Sequence, residues 1–146
     1  MPKALIVYAT RTGETQKIAD LIAEGIRFTG AEAKVVKAGD IKKQADLEGY
    51  GAYVFGSPTY HGEMMKDMKT LLFLADNLNL EGKVGGSFGA FGWSGEAPGR
   101  IYETMKNILS MDMVGDHLRL KSSSLQGGMQ MAQDYGKQIG KKMVGE

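Results

Sequence analysis

Three threonines and a glycine, spaced Thr10-x-Thr12-Gly13-x-Thr15, stand between two patterned segments. Before them lies a short apolar, β-branched run, Leu5-Ile6-Val7-Tyr8-Ala9, which reads as a strand buried on both faces. After them Ile18, Leu21, Ile22 and Ile26 recur at helical spacing. A helix start leaves backbone N–H groups without intrahelical partners and carries partial positive charge, so a hydroxyl-rich turn there can cradle an anion. Phosphate is the expected guest. The same residues also suit a plain helix cap and a packed turn. Neither G-x-x-x-x-G-K-[ST] nor G-x-G-x-x-G after a strand occurs, so the usual triphosphate and dinucleotide signatures are absent.

Two further clusters carry flat aromatic side chains. Ser57-Pro58-Thr59-Tyr60-His61-Gly62 follows the apolar run Tyr50 to Gly56, and Ala90-Phe91-Gly92-Trp93-Ser94-Gly95 follows Lys83 to Gly89. Tyr60 and Trp93, the latter the only tryptophan, would present rings on two separate loops.

The elements that must position these clusters alternate along the chain. Strands are expected at Leu5–Tyr8, Ala33–Lys37, Tyr50–Gly56, Lys83–Phe91 and His117–Lys121. Helices are expected from the threonine turn to Phe28, from Asp40 through Leu47, from Glu63 to Leu78, from Arg100 to Met111, and from Gly128 to the end. Met64, Met68, Met105, Met129 and Met143 fit buried helix faces, where methionine fills gaps. The glycines of the fourth strand imply close approach by neighbouring helices or by a ligand. Five strands alternating with five helices give an α/β fold, a doubly wound five-stranded parallel sheet with right-handed crossovers. In such sheets ligands bind outside the strand carboxyl ends where the order reverses.

Composition narrows the field. The 146 residues suit one domain, 1–146, and eighteen basic against seventeen acidic side chains leave a formal charge of +1. That balance gives no reason to expect nucleic acid as a partner. There is no cysteine, hence no disulfide, thiolate chemistry or cysteine-ligated metal, and redox chemistry would need a bound cofactor. No apolar run approaches the ~20 residues of a membrane span, and the first strand begins too early for a leader segment. A cytoplasmic protein without membrane insertion is expected.

The threonine turn resembles the phosphate loop of the flavodoxin family. Ser57 to Gly62 resembles that family's second flavin loop, and Phe91 to Gly95 its third, most of all as found in the flavodoxin domains of bacterial diiron flavoproteins. The resemblance implies the strand order 2-1-3-4-5, non-covalently bound FMN, and a monomeric carrier that shuttles low-potential electrons between redox partner proteins. No residue set suggests catalysis by the chain itself. By resemblance, Thr10, Arg11, Thr12, Gly13, Glu14 and Thr15 hold the phosphate. Ser57, Pro58, Thr59, Tyr60, His61 and Gly62, with Ala90, Phe91, Gly92, Trp93, Ser94 and Gly95, hold the ring and ribityl chain.

His61 departs from the family pattern. Many flavodoxins have glycine there, whose peptide turns over on reduction so that its carbonyl accepts from flavin N5–H. A side chain opposes that turn by about 1 kcal/mol, so the half-reduced flavin is expected to be less stabilised here, unless Gly62 takes the role. The alternative for His61 is an exposed turn residue. The charge of +1 also departs from the acidic character of the family. The competing activity is a flavodoxin-like NAD(P)H:quinone oxidoreductase, whose members usually carry longer insertions around the third and fourth strands. A phosphoacceptor receiver needs acidic residues at the ends of strands one and three, where this chain has Ala9-Thr10 and Gly56-Ser57.

Overall fold

The computed structural model describes residues 2–10, 13–59, 63–90, 95–121 and 127–145. The chain runs β1 (Lys3–Tyr8), α1 (Glu14–Phe28), β2 (Glu32–Lys37), β3 (Ala52–Gly56), α2 (Lys66–Asp76), β4 (Val84–Ala90), α3 (Glu96–Asn107), β5 (Asp112–Met113), β6 (Leu118–Leu120) and α4 (Gly128–Val144). Every strand pairing is parallel. The order is β2-β1-β3-β4-β5, with β6 also on β4, so the expected order 2-1-3-4-5 holds and the fifth place is shared by two short segments.

The strand pleat sorts side chains to two cores. Ile6, Tyr8, Val54 and Phe88 face α1 and α4, where they meet Ile18, Ile22, Ala132 and Ile139. Leu5, Val7, Tyr53 and Phe55 face the other way, onto Met68, Leu71 and Leu72 of α2 and Ala97, Ile101 and Met105 of α3. Strands β1 and β3 are buried on both faces, which is why their sequences run apolar without alternation.

Four expectations about elements need correction. Between β2 and β3 there is no α-helix from Asp40 to Leu47, but two 3-10 turns, Ala38–Asp40 and Gln44–Leu47. The cap is Asp46 rather than Asp40: its carboxylate accepts from the N–H groups of Lys42 (2.9 Å) and Lys43 (3.2 Å), bonds that hold its pKa below the ordinary value. Helix α2 starts at Lys66, not Glu63, because Met65 is extended (φ −67°, ψ 153°) and gives its N–H to the Ser57 hydroxyl. Helix α3 starts at Glu96, not Arg100. Pro98, which suggested a loop, lies in the first helical turn, where a missing N–H removes no intrahelical bond. Met129 is exposed rather than buried.

The break between β5 and β6 leaves a gap beside the middle of β4. Val114 still donates its N–H to the Gly85 carbonyl, but the next N–H on that side, of Ser87, has no strand opposite. The Tyr135 hydroxyl, reaching in from α4, accepts it at 2.9 Å. Burial pushes the Tyr135 pKa well above its ordinary value, so the phenol stays neutral. The glycines of β4 are therefore approached by protein: a Cβ at Gly86 would lie 2.8 Å from the Tyr135 hydroxyl oxygen. Replacing Tyr135 with Phe keeps the ring and strands the Ser87 N–H in the core, an expected loss of about 1–3 kcal/mol in urea unfolding.

Candidate functional site

Strands β1, β3 and β4 are neighbours, with Tyr8 opposite Gly56 and Gly56 opposite Phe88, so the segments that follow them leave the same edge of the sheet side by side. These are the three segments singled out in the sequence. Of the eighteen candidate residues, Arg11, Thr12, Tyr60, His61, Gly62, Phe91, Gly92, Trp93 and Ser94 lie outside the described residues. The other nine flank them.

After β1, the Thr10 hydroxyl accepts from the Gly13 N–H at 2.9 Å, closing the turn on itself. Gly13 is the N-cap of α1 in the left-handed region, φ 93°, a conformation that disfavours any residue with a Cβ. It has no side chain with which to cap the helix. Among the described residues no side chain accepts from the N–H groups of Thr15 or Gln16. Glu14 and Thr15 open the helix: the Glu14 carboxylate is 3.7 Å from the Lys17 ammonium, and Thr15 is buried. Beneath the turn, burial and then the charges of Asp20 and Asp40 raise the pKa of Tyr8, which stays a neutral phenol.

After β3, the hydroxyls are committed to protein. Ser57 is fully buried; its hydroxyl donates to the Pro58 carbonyl (2.9 Å) and accepts from the Met65 N–H (2.9 Å). Thr59 Oγ1 accepts from the Ala97 N–H of α3 at 2.9 Å. Glu63, where description resumes, lies 3.6 Å from Lys69 of α2 and 3.7 Å from Arg100 of α3. What the Ser57 to Thr59 backbone can offer a ligand is its peptide groups.

After β4, Ala90 is buried, and Gly95 reopens the described chain as the N-cap of α3. Arg119 of β6 lies over Gly95, with its Cδ 2.6 Å from where a Cβ would stand. Gly95 is thus packed against a cationic side chain that the sequence pattern gave no reason to single out. Ser87 was also missed: its buried hydroxyl donates to the Pro98 carbonyl at 3.0 Å and ties the first turn of α3 to the sheet. Gly89 is packed hardest, since a Cβ there would fall 2.1 Å from the Ser57 carbonyl oxygen and 2.8 Å from Pro98 Cγ.

His117 lies beside β6, bonded through Nδ1 to Asp116 (2.9 Å) and edge-on to Tyr102. No group of His, Asp and Glu able to hold a metal occurs among the described residues. A cleft of about 530 Å³ between α2 and α3, lined by Leu72, Phe73, Ile108 and Leu109, lies along the helix flank. No described helix is long and apolar enough to cross a membrane.

A doubly wound parallel sheet with three adjacent loops at its carboxyl edge defines the class of α/β proteins that bind a ligand at the topological switch point. Within that class the match is specific. The family model for flavodoxin covers residues 6–136, and the chain belongs to the flavodoxin family, whose members bind a flavin. It is 36% identical to a flavodoxin from Clostridium saccharobutylicum over 87 residues, 59% of this chain and 54% of that protein, so it spans about half the length of that relative. A solved archaeal flavodoxin superposes with TM-score 0.89 at 30% identity, covering 97% of this chain and 99% of that one. The flavodiiron protein of Giardia intestinalis matches over 98% of this chain and 36% of its own, with TM-score 0.90 at 26% identity.

The packing at Gly89 generates a direct test. Gly89→Ala must push the Ser57 peptide or Pro98 aside, with an expected destabilisation of about 1–3 kcal/mol in chemical unfolding. Its flavin affinity should fall as well, because both loops move with those contacts.

Proposed function

We propose that residues 1–146 form a single FMN-binding domain that carries electrons between redox partner proteins, as a cytoplasmic monomer, without converting a substrate itself. One observation supports this most directly. Three helices start at the carboxyl ends of adjacent strands, and Ser57 and Thr59 accept from the starts of two of them, α2 and α3. At the start of α1 the Thr10 hydroxyl takes the Gly13 N–H, and among the described residues no side chain accepts from the Thr15 or Gln16 N–H groups. Those donors suit a phosphate, which completes the first turn and meets the positive end of the helix.

The residues present fit FMN. In this reading Thr10, Arg11, Thr12, Gly13, Glu14 and Thr15 hold the phosphate, mainly through backbone N–H groups. The Ser57 to Gly62 and Ala90 to Gly95 loops take the ring, with peptide groups at its polar edge and Tyr60 and Trp93 as flat partners. The flavin supplies one-electron chemistry; the chain binds it, orients it and sets its surroundings. The NAD(P)H:quinone oxidoreductase reading is less well supported. Only residues 91–95 separate β4 from α3, a short connection for a site that must admit nicotinamide and quinone in turn.

The test is stepwise anaerobic reduction of purified protein followed by visible spectroscopy. One FMN per chain and passage through a one-electron-reduced form are expected, with no bleaching by NAD(P)H alone. Direct two-electron bleaching, accelerated by NAD(P)H, would favour the reductase. Protein that takes up no FMN would overturn both readings. In the same titration His61→Gly should raise the fraction in the one-electron-reduced form, by removing the Cβ that opposes a peptide turn. An unchanged fraction would leave His61 without an electronic role.

A further inference from the structure

The second and third loops are joined through one helix. Thr59, the last described residue before 60–62, has its hydroxyl on the Ala97 N–H in the first turn of α3, and Glu63, the first residue after, lies 3.7 Å from Arg100 of the same helix. Helix α3 is in turn the element into which the 91–94 segment runs.

The sequence explains why this tie exists. Helix starts need side-chain acceptors, and the N-cap of α3 is Gly95, which has none. The Arg119 side chain lies against it, its Cδ 2.6 Å from where a Cβ would stand, so a larger residue there would have to displace the arginine. The acceptor therefore comes from Thr59, thirty-eight positions away in the chain. The Ser87 hydroxyl on the Pro98 carbonyl and the Gly89 contact fix the same turn against β4. Exposed ion pairs contribute little, so the Thr59 bond is the principal link and Glu63–Arg100 a secondary one.

We infer that Thr59 is a positioning residue which, by capping α3, fixes the Ser57 to Thr59 peptide groups relative to Gly95 and the first turn of α3, and so preorganises the two flanks of the flavin site. The inference rests on the FMN reading above and assigns Thr59 no direct contact with flavin. A fixed spacing matters for a flat ligand, because ordering two independent loops would cost conformational entropy on binding.

The experiment compares FMN with riboflavin, which has the ring and lacks the phosphate. Thr59→Val keeps the shape and loses the acceptor. It should weaken both flavins by the same factor, about five- to tenfold for one hydrogen bond, and Thr59→Ser should restore both. Hydrogen exchange on the wild-type protein gives a second readout that needs no folded variant: riboflavin binding should slow exchange of the Ala97 N–H at least tenfold. A Thr59→Val protein with lowered Tm but both dissociation constants unchanged would overturn the inference, as would weakening of FMN alone or unaltered Ala97 exchange. Wild-type protein that takes up neither flavin would overturn the functional reading, and this inference with it.

Discussion

The absence of room at Gly89 governs the carboxyl edge of this sheet. The Ser57 peptide comes so close to Gly89 that a Cβ would stand 2.1 Å from its carbonyl oxygen, and Pro98 Cγ would be 2.8 Å from the same Cβ. Once Ser57 is buried, its hydroxyl must be satisfied within the protein, and it is, by the Met65 N–H and the Pro58 carbonyl. That bond keeps Met65 extended and delays α2 until Lys66. Thr59, carried along by the same peptide, is left facing the start of α3. One close contact between neighbouring strands thus fixes where two helices begin.

The architecture was legible because its signals are local. Apolar runs in β1 and β3, a helical stripe at Ile18, Ile22 and Ile26, and turn chemistry between them marked the alternation of strands and helices, while the strand order followed from the family resemblance. Less was legible where a long-range partner decides the outcome. The stretch from Asp40 to Leu47 reads as one helix, yet it forms two 3-10 turns, the second held by Asp46, on which two backbone N–H groups converge. Helix α3 begins before Arg100 because its first turn tolerates Pro98. The division of the fifth strand depends on Tyr135, distant in sequence, taking the Ser87 N–H in place of a strand. At the candidate site, glycines marked close approach correctly, but not that the approaching groups would be Ser57, Pro98, Tyr135 and Arg119.

Charge near the site is arranged in local pairs. Glu14 lies beside Lys17, and Glu63 between Lys69 and Arg100, at 3.6–3.7 Å and partly exposed. Such pairs stabilise the fold by ~1 kcal/mol or less each, but they cancel at distances beyond a Debye length of about 8 Å. With a formal charge of +1 for the whole chain, long-range steering of partners is weak. In the proposed carrier role, recognition of a redox partner would then depend on short-range fit more than on field-driven encounter.

The contrast among the helix starts bears on where a ligand's charge belongs. Ser57 takes the N-cap N–H of α2, Thr59 the Ala97 N–H of α3, and Thr10 the N-cap N–H of α1, so one backbone donor at each helix start is met by a protein hydroxyl. Further into α1, no side chain among the described residues accepts from the N–H groups of Thr15 or Gln16. Glycine at an N-cap forfeits only a few tenths of a kcal/mol relative to a hydroxyl cap, so α1 remains stable without a guest while keeping its donors available. An anion bound there meets several N–H groups and the helix dipole together. In the proposed reading, an anion at the start of α1 and a flat, weakly charged ring beside the starts of α2 and α3 would divide one sheet edge between them.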